Sequence, residues 1–168
     1  MSINNLPRDV VCAGMRTSKP ERFSGLTLIE LIVTVAIVGI LSSMAIPMYA
    51  QYIEKARIIR AVSDITNISK SIQVYNLDNN MYPQSLAEVG SGAFKDPWGT
   101  QYQYLNIQTM GKFGKPRKDR FIHPINSDYD LYSMGKDGKS QPALTAHASK
   151  DDVIRANDGA YIGLVSKF

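Results

Sequence analysis

Two groups of carboxylates in this chain could do chemistry, and both ask for a cation. Glu30 stands inside Leu26–Ile46, LTLIELIVTVAIVGILSSMAI, where every other residue is apolar, glycine or a hydroxyl. An acid at the centre of a bilayer helix costs about 2.5–3.5 kcal/mol on insertion scales, so one retained there marks a functional position. A buried charge of this kind is tolerated chiefly when an opposite charge sits beside it. The second group, Asp128, Asp130, Asp137, Asp151, Asp152 and Asp158, falls in the C-terminal quarter. Irregular loops rich in carboxylates and free carbonyls supply hard oxygens to calcium. The same residues also read as turn chemistry, with Asp137-Gly138 and Asp158-Gly159 as hairpin turns and Asp151-Asp152 capping a short helix. Both readings stand at this point.

Catalytic constellations are missing. His123 and His147 lie in loops beside prolines or small residues, and neither a phosphate-binding glycine loop nor zinc-ligand spacing occurs. The chain is therefore expected not to be an enzyme. Its one cysteine, Cys12, precedes the apolar run and has no signal core before it, so it reads as incidental. Downstream no disulfide can form, and a small exported domain then needs another staple. The formal net charge is +4, and Arg8, Arg16, Lys19 and Arg22 against Asp9 and Glu21 supply half of it before Gly25. No stripe of Lys and Arg interleaved with aromatics follows, so no nucleic-acid partner is expected.

The elements that must position these residues begin with the apolar run. About 20 residues rising ~1.5 Å each cover the ~30 Å core of a bilayer. Arg16, Lys19 and Arg22 before it and Lys55, Arg57 and Arg60 after it give a mild preference for a cytoplasmic N-terminus. A secretory signal peptide cut at Ser43-Met44-Ala45 or Met48-Tyr49-Ala50 competes with the anchor reading. The acid, the length of the run and a helical period that continues through the cut all oppose it. Past Pro47, Ile58, Val62, Ile65, Ile68, Ile72 and Tyr75 recur in steps of three and four, an amphipathic helix with one buried face. Asn79, Asn80 and Pro83 stop it near Asp78, so Leu26–Asp78 makes one helix of roughly 80 Å. Gln101–Asn106, Asp128–Tyr132 and Ala160–Val165 are strand candidates, and Trp98 is expected to pack over the helix. Gly111–Arg120, with five basic residues, reads as a solvated loop. The fold class is α+β, a small antiparallel sheet laid on the C-terminal half of a long helix.

Ser24-Gly25-Leu26-Thr27-Leu28-Ile29-Glu30, followed by Pro47, resembles the prepilin peptidase site shared by type IV pilins and type II secretion pseudopilins. The resemblance implies a pilin-like fold, a cut after Gly25 and methylation of the new amine on Leu26. Glu30 then matches the family's glutamate at the fifth mature position, and Pro47 its proline at the twenty-second. Leu26 departs from the commoner phenylalanine or methionine. Further implications are a leader at 1–25, a membrane and filament-core half-helix at 26–48, an amphipathic half at 49–78 and a periplasmic globular region at 79–168. A leader starting at Met15 is an alternative to Met1. Implied partners are other copies of the chain, other pseudopilins, prepilin peptidase, an inner-membrane assembly platform and, before assembly, membrane lipid. In a filament, Glu30 of one subunit would neutralise the Leu26 amine of the next, and Pro47 would loosen the helix locally.

Leu77-Asp78-Asn79-Asn80-Met81-Tyr82-Pro83 and Asp96-Pro97-Trp98-Gly99 resemble, in order and spacing, the signature of the major pseudopilins. Ser133-Met134-Gly135-Lys136-Asp137-Gly138 and Asp151-Asp152 resemble their calcium loop. By that resemblance Asp137, Asp151 and Asp152 offer side-chain oxygens to calcium, and Met134 and Lys139 main-chain carbonyls. Lys139–Lys150 is longer than the family's loop and carries no acid, which brings Asp158 into contention as a ligand. The lengthening need not prevent closure, since each doubling of a loop costs only ~0.6 kcal/mol. The implied role is a structural subunit of a secretion pseudopilus. A type IV pilus subunit is the alternative, and a secreted ligand-binding domain is a third reading.

Overall fold

A computed structural model describes residues 25–109 and 115–168. Leader residues 1–24, with Ser24 and Cys12, and the first part of the basic loop lie outside the described residues. Among those described, the elements are a helix, α1 (Leu28–Asn79), and four strands: β1 (Gln103–Asn106), β2 (Tyr129–Ser133), β3 (Val153–Ala156) and β4 (Tyr161–Leu164). Short 3-10 turns fall at His147–Ser149, Asn157–Gly159 and Val165–Lys167. The chain divides into two units between Ser43 and Met44.

In the first unit α1 opens at Leu28, and its helix continues unbroken through Pro47 in the second. Thr27-x-x-Glu30 forms a capping box. The Glu30 carboxylate accepts from the Thr27 amide and hydroxyl, each at 2.8 Å, and the Glu30 amide donates to the Thr27 hydroxyl at 3.3 Å. Two of the donors that every helix start leaves free are thereby satisfied.

The second unit is a helix on a sheet. The sheet is antiparallel throughout in the order β1-β2-β3-β4, with Leu105 facing Asp130, Tyr132 facing Ile154 and Ile154 facing Gly163. Ala61, Ile65, Ile68 and Ile72 of α1 bury the face that the three-and-four spacing marks, against Tyr102, Tyr129, Leu131 and Val153. Burying one such side chain stabilises by about 1.5–3 kcal/mol, so this stripe anchors the unit. A second cluster, Ile125, Leu144, Ile154, Ala156 and Val165, includes a residue of the Lys139–Lys150 loop and one near the C-terminus. The α+β, pilin-like architecture expected from the sequence is the one observed.

Several local expectations shift. The helix ends at Asn79, one residue late, with Asn80 at φ 55° making the turn. β1 starts two residues late because Gln101 pairs with Lys95 across the Asp96–Gly99 turn. β3 is a strand that period-two reading misses, and Asp151-Asp152 leads into it instead of capping a helix. Trp98 does pack on the helical core, with its indole N–H donating to Glu54 at 3.1 Å. Asn157-Asp158-Gly159, all at positive φ, makes the turn between β3 and β4.

Candidate functional site

The first candidate site is the apolar start of α1. It contains a window long and apolar enough to cross a membrane. From Leu28 to Ile46 its large apolar side chains are exposed, as Leu26 is before them. Such a surface needs lipid or other helices to cover it. Gly25 and Leu26 precede the helix, and the Glu30 side chain remains exposed while held to Thr27. A carboxylate satisfied by its own helix start has a lower desolvation cost and keeps lone pairs for a cationic partner.

The second site gathers around the turn after β2. Asp96 caps the Asp-Pro-Trp-Gly turn by accepting from the Trp98 and Thr100 amides at 3.1 and 2.8 Å. Its other oxygen accepts from the Ser133 hydroxyl at 2.5 Å, tying that turn to the end of β2. Gly135 then turns the chain at φ 63°, against the main chain of Asp151, so closely that a Cβ there would lie 2.3 Å from the Asp151 carbonyl oxygen. Asp151 Oδ2 accepts from the Asp137 amide at 3.0 Å, and Asp137 Oδ1 accepts from the Lys139 amide at 2.8 Å. Asp152, next in line, is fully buried.

The structure therefore brings Asp137 and Asp151 into one loop pair, with Asp152 beside Asp151. Asp158 is not part of it: it sits at the opposite end of β3, accepting from the Ser127 amide and hydroxyl at 2.7 and 2.9 Å. Those hydrogen bonds, with help from Arg155, hold its carboxyl below the usual range. Asp128 and Asp130 also have partners of their own. Asp128 forms a two-pronged pair with buried Arg155 at 2.8 and 2.7 Å. Asp130 accepts from the Arg117 amide at 2.7 Å and from Asn126 at 2.9 Å, while burial pushes its carboxyl up.

Arg117 corrects the expectation of a solvated basic loop. It is 3% exposed, and its guanidinium lies 3.8 Å over the Tyr132 ring. One terminal nitrogen donates to Asp152 Oδ2 and the other to the Ser140 hydroxyl at 2.9 Å. Ser140 donates in turn to the same Asp152 oxygen at 2.6 Å. Burial pushes the Asp152 carboxyl up to about 7, against the pull of Ser140 and Arg117 and with Asp151 and Asp137 adding to the rise. The second oxygen, Asp152 Oδ1, is buried with no hydrogen-bond partner.

These features fit a hard cation in part. The buried Asp152 Oδ1, without a hydrogen-bond partner, leaves an acceptor that a cation could satisfy. Among the described residues, however, no three His, Cys, Asp or Glu side chains are grouped to hold a metal unaided. Main-chain oxygens such as those of Met134 and Lys139 would have to complete the shell.

Comparison with known proteins bears on both sites. The family model for the prokaryotic N-terminal methylation motif matches residues 22–46. The chain is 34% identical over 143 residues to the type II secretion system core protein G of Aeromonas hydrophila, covering 71% of this chain and 87% of that protein. It is 33% identical over 137 residues to the protein of the same name from Pseudomonas aeruginosa, covering 69% and 85%. The Escherichia coli K12 protein is 32% identical over 146 residues, covering 74% and 88%. No solved structure matches the chain.

Proposed function

The chain belongs to the type II secretion system core protein G family, and on that footing we propose that it is the polymerising subunit of a periplasmic pseudopilus that drives protein export. Its role in the family is structural and not enzymatic. Prepilin peptidase removes 1–25 and methylates Leu26, and the helix holds the subunit in the inner membrane with its N-terminus in the cytoplasm until an assembly platform extracts it. In the filament the Leu26 amine pairs with Glu30 of a neighbouring copy, and Pro47 lets the helix loosen. The observation that carries this reading is the coincidence of the methylation motif with the uncovered apolar start of α1, Leu28–Ile46, whose one acid is Glu30.

The relatives' names favour secretion over a type IV pilus. The test is intact mass and N-terminal sequencing of the membrane-extracted protein. A chain starting at methylated Leu26 is expected. A start between Ala45 and Gln51 would mean an ordinary signal peptide and would overturn the proposal.

Calcium belongs to the same reading. Asp137, Asp151 and Asp152 would hold the ion by side-chain oxygens, and Met134 and Lys139 by carbonyls. What supports it is the orphaned, buried Asp152 Oδ1. Bound there, the ion would supply charge neutralisation and a cross-link that a domain without disulfides otherwise lacks.

A further inference from the structure

Phe121 is 97% exposed, and nothing among the described residues covers it. On a loose loop such a ring could fold back, but this loop is held at its base. Arg117 is buried beside Asp152, Ile125 packs into the second cluster, and the Ile125 amide donates to the Arg117 carbonyl at 3.0 Å. The Lys118 amide donates to the Pro142 carbonyl and the Leu144 amide to the Lys118 carbonyl, each at 2.9 Å. A further bond, from the Asp119 amide to the Ile122 carbonyl at 2.9 Å, leaves Arg120 and Phe121 at the tip. An aromatic ring presented on a fixed loop costs little ordering when a partner buries it. Lys118 and Arg120 outnumber Asp119 around it, and Lys150 shares a recess with Arg120. The matching partner is therefore apolar with an acidic rim.

This chain carries such a surface itself. Lys70, Val74, Tyr75, Asp78, Glu88 and Val89 line a shallow concavity between the end of α1 and the segment that follows it. Val74 is 57% exposed, and Leu77, three residues on along the same face, 78%. Asp78 and Glu88 outnumber Lys70 there. The two surfaces lie on opposite faces of the sheet. Val153 packs with α1 while its neighbour Ile154 packs with Ile125 and Leu144, and successive strand residues point to opposite faces. They also lie at opposite edges. The Tyr104 hydroxyl of edge strand β1 donates to the Pro83 carbonyl at 2.8 Å, beside the concavity, whereas Arg120 lies with Val165 and Phe168, which follow edge strand β4.

We propose that the Arg120-Phe121 tip of one copy seats in the concavity of Val74 and Val89 on the next, with Arg120 facing Asp78. This contact rests on the polymerising-subunit reading above and gives that polymer a surface between its globular regions. Two complementary patches on opposite sides of one molecule make a head-to-tail contact, which builds an open row when it does not close into a ring.

The test is disulfide trapping of the full chain, carrying Cys12→Ser, in membranes of the cells that naturally make it. Leu77→Cys/Ile122→Cys places one thiol beside each half of the contact and is expected to give a ladder of multimers on mild oxidation. Each single variant alone stays monomeric, and the two single variants produced together give dimers only. Arg120→Glu or Phe121→Ser, added to the pair, lowers the trapped yield at least about fivefold, and Asp78→Arg restores most of the Arg120→Glu loss. A lysine-reactive cross-linker on the same membranes reports polymerisation through any surface. Multimers with that reagent but no disulfide ladder would overturn the contact and leave the polymer standing. Ile122→Cys cross-linking to itself would also overturn it, because that means a symmetric contact. Multimers with neither reagent would mean that the polymerising-subunit reading fails and the contact with it. A dye on Ile122→Cys that is blue-shifted in membranes where the pair gives no ladder would place the tip on lipid and overturn the contact.

Discussion

Replacing Asp128 by Asn tests how much of the domain's stability depends on a second buried arginine. Arg155 is 2% exposed on β3, and both its terminal nitrogens reach the Asp128 carboxylate. In Asp128→Asn the side chain keeps its shape and one accepting oxygen, but the guanidinium loses its paired charge and one of its two short contacts, keeping the Tyr129 carbonyl at 3.2 Å and the Tyr129 ring, 4.1 Å from its Cζ. Breaking a buried pair by removing one charge costs about 3–5 kcal/mol. The lower end applies, because the Asp128 side chain is 13% exposed and Asp158 still acts on Arg155. About 3 kcal/mol at roughly 2–4 °C per kcal/mol gives a fall of about 6–12 °C in melting temperature for a chain of this size. Arg155→Met/Asp128→Asn is expected to melt well above the single variant, since an apolar replacement of a whole buried pair is often neutral. The assay is Trp98 fluorescence on heating the full chain in micelles. A fall under about 3 °C, or a double variant less stable than Asp128→Asn, would refute the reasoning.

Two further outcomes follow from local geometry. Gly135 and Gly138 share nearly the same positive φ, yet a Cβ on Gly135 meets the Asp151 main chain, while one on Gly138 finds its nearest atom at 3.9 Å. Gly138→Ala is thus expected to cost about 1 kcal/mol and Gly135→Ala at least twice that, and equal losses in urea melts would show that the Asp151 contact is not needed. Asp158 titrates below its ordinary range, so its stabilisation is present above the unfolded pKa near 3.9 and is lost as pH falls through the lower folded value. The gap in melting temperature between wild type and Asp158→Asn is expected to close below about pH 4, and a gap unchanged down to pH 2 would contradict the Ser127 contacts.

What could be read in the sequence was whatever has a local period. The amphipathic half of α1 was legible because Ile65, Ile68 and Ile72 repeat at helical spacing, and these residues form the core. β2 and β4 alternate or run apolar between turn residues, and both are found within a residue of the expected place. β3 was not legible: Val153-Ile154-Arg155-Ala156 is buried at all four positions, so its faces give no alternation. Nothing in the sequence marks its arginine as buried, because its partner Asp128 lies 27 residues away. Arg117 had no signal of its own, since a basic cluster in a glycine-containing loop looks the same whether or not one member turns inward. The turn residues Asp96, Gly99 and Asp158 were recognisable by type, but their partners Ser133 and Ser127 were not.

Glu30 and Asp152 show why that division falls where it does. Each is a carboxylate that the chain removes, or prepares to remove, from water. Glu30 is answered three residues away, by the amide and hydroxyl of Thr27, a pattern visible in the bare sequence. An answer that local asks nothing of the rest of the fold. It leaves the side chain exposed, so the carboxylate can accept a second, cationic partner when helices are brought together. Asp152 is answered by Arg117, 35 residues distant, and the answer exists only once the sheet and both loops have formed. Such a pair works as a tertiary latch: it cannot form in the unfolded chain and cannot be exchanged without opening the core. A carboxylate held by its own helix stays free to take a new partner, and one held by the fold keeps a loop closed. On the proposed pseudopilus reading, the first arrangement would suit a residue that changes partners during assembly. The second would suit a domain that moves from membrane to filament without its acidic loop coming apart.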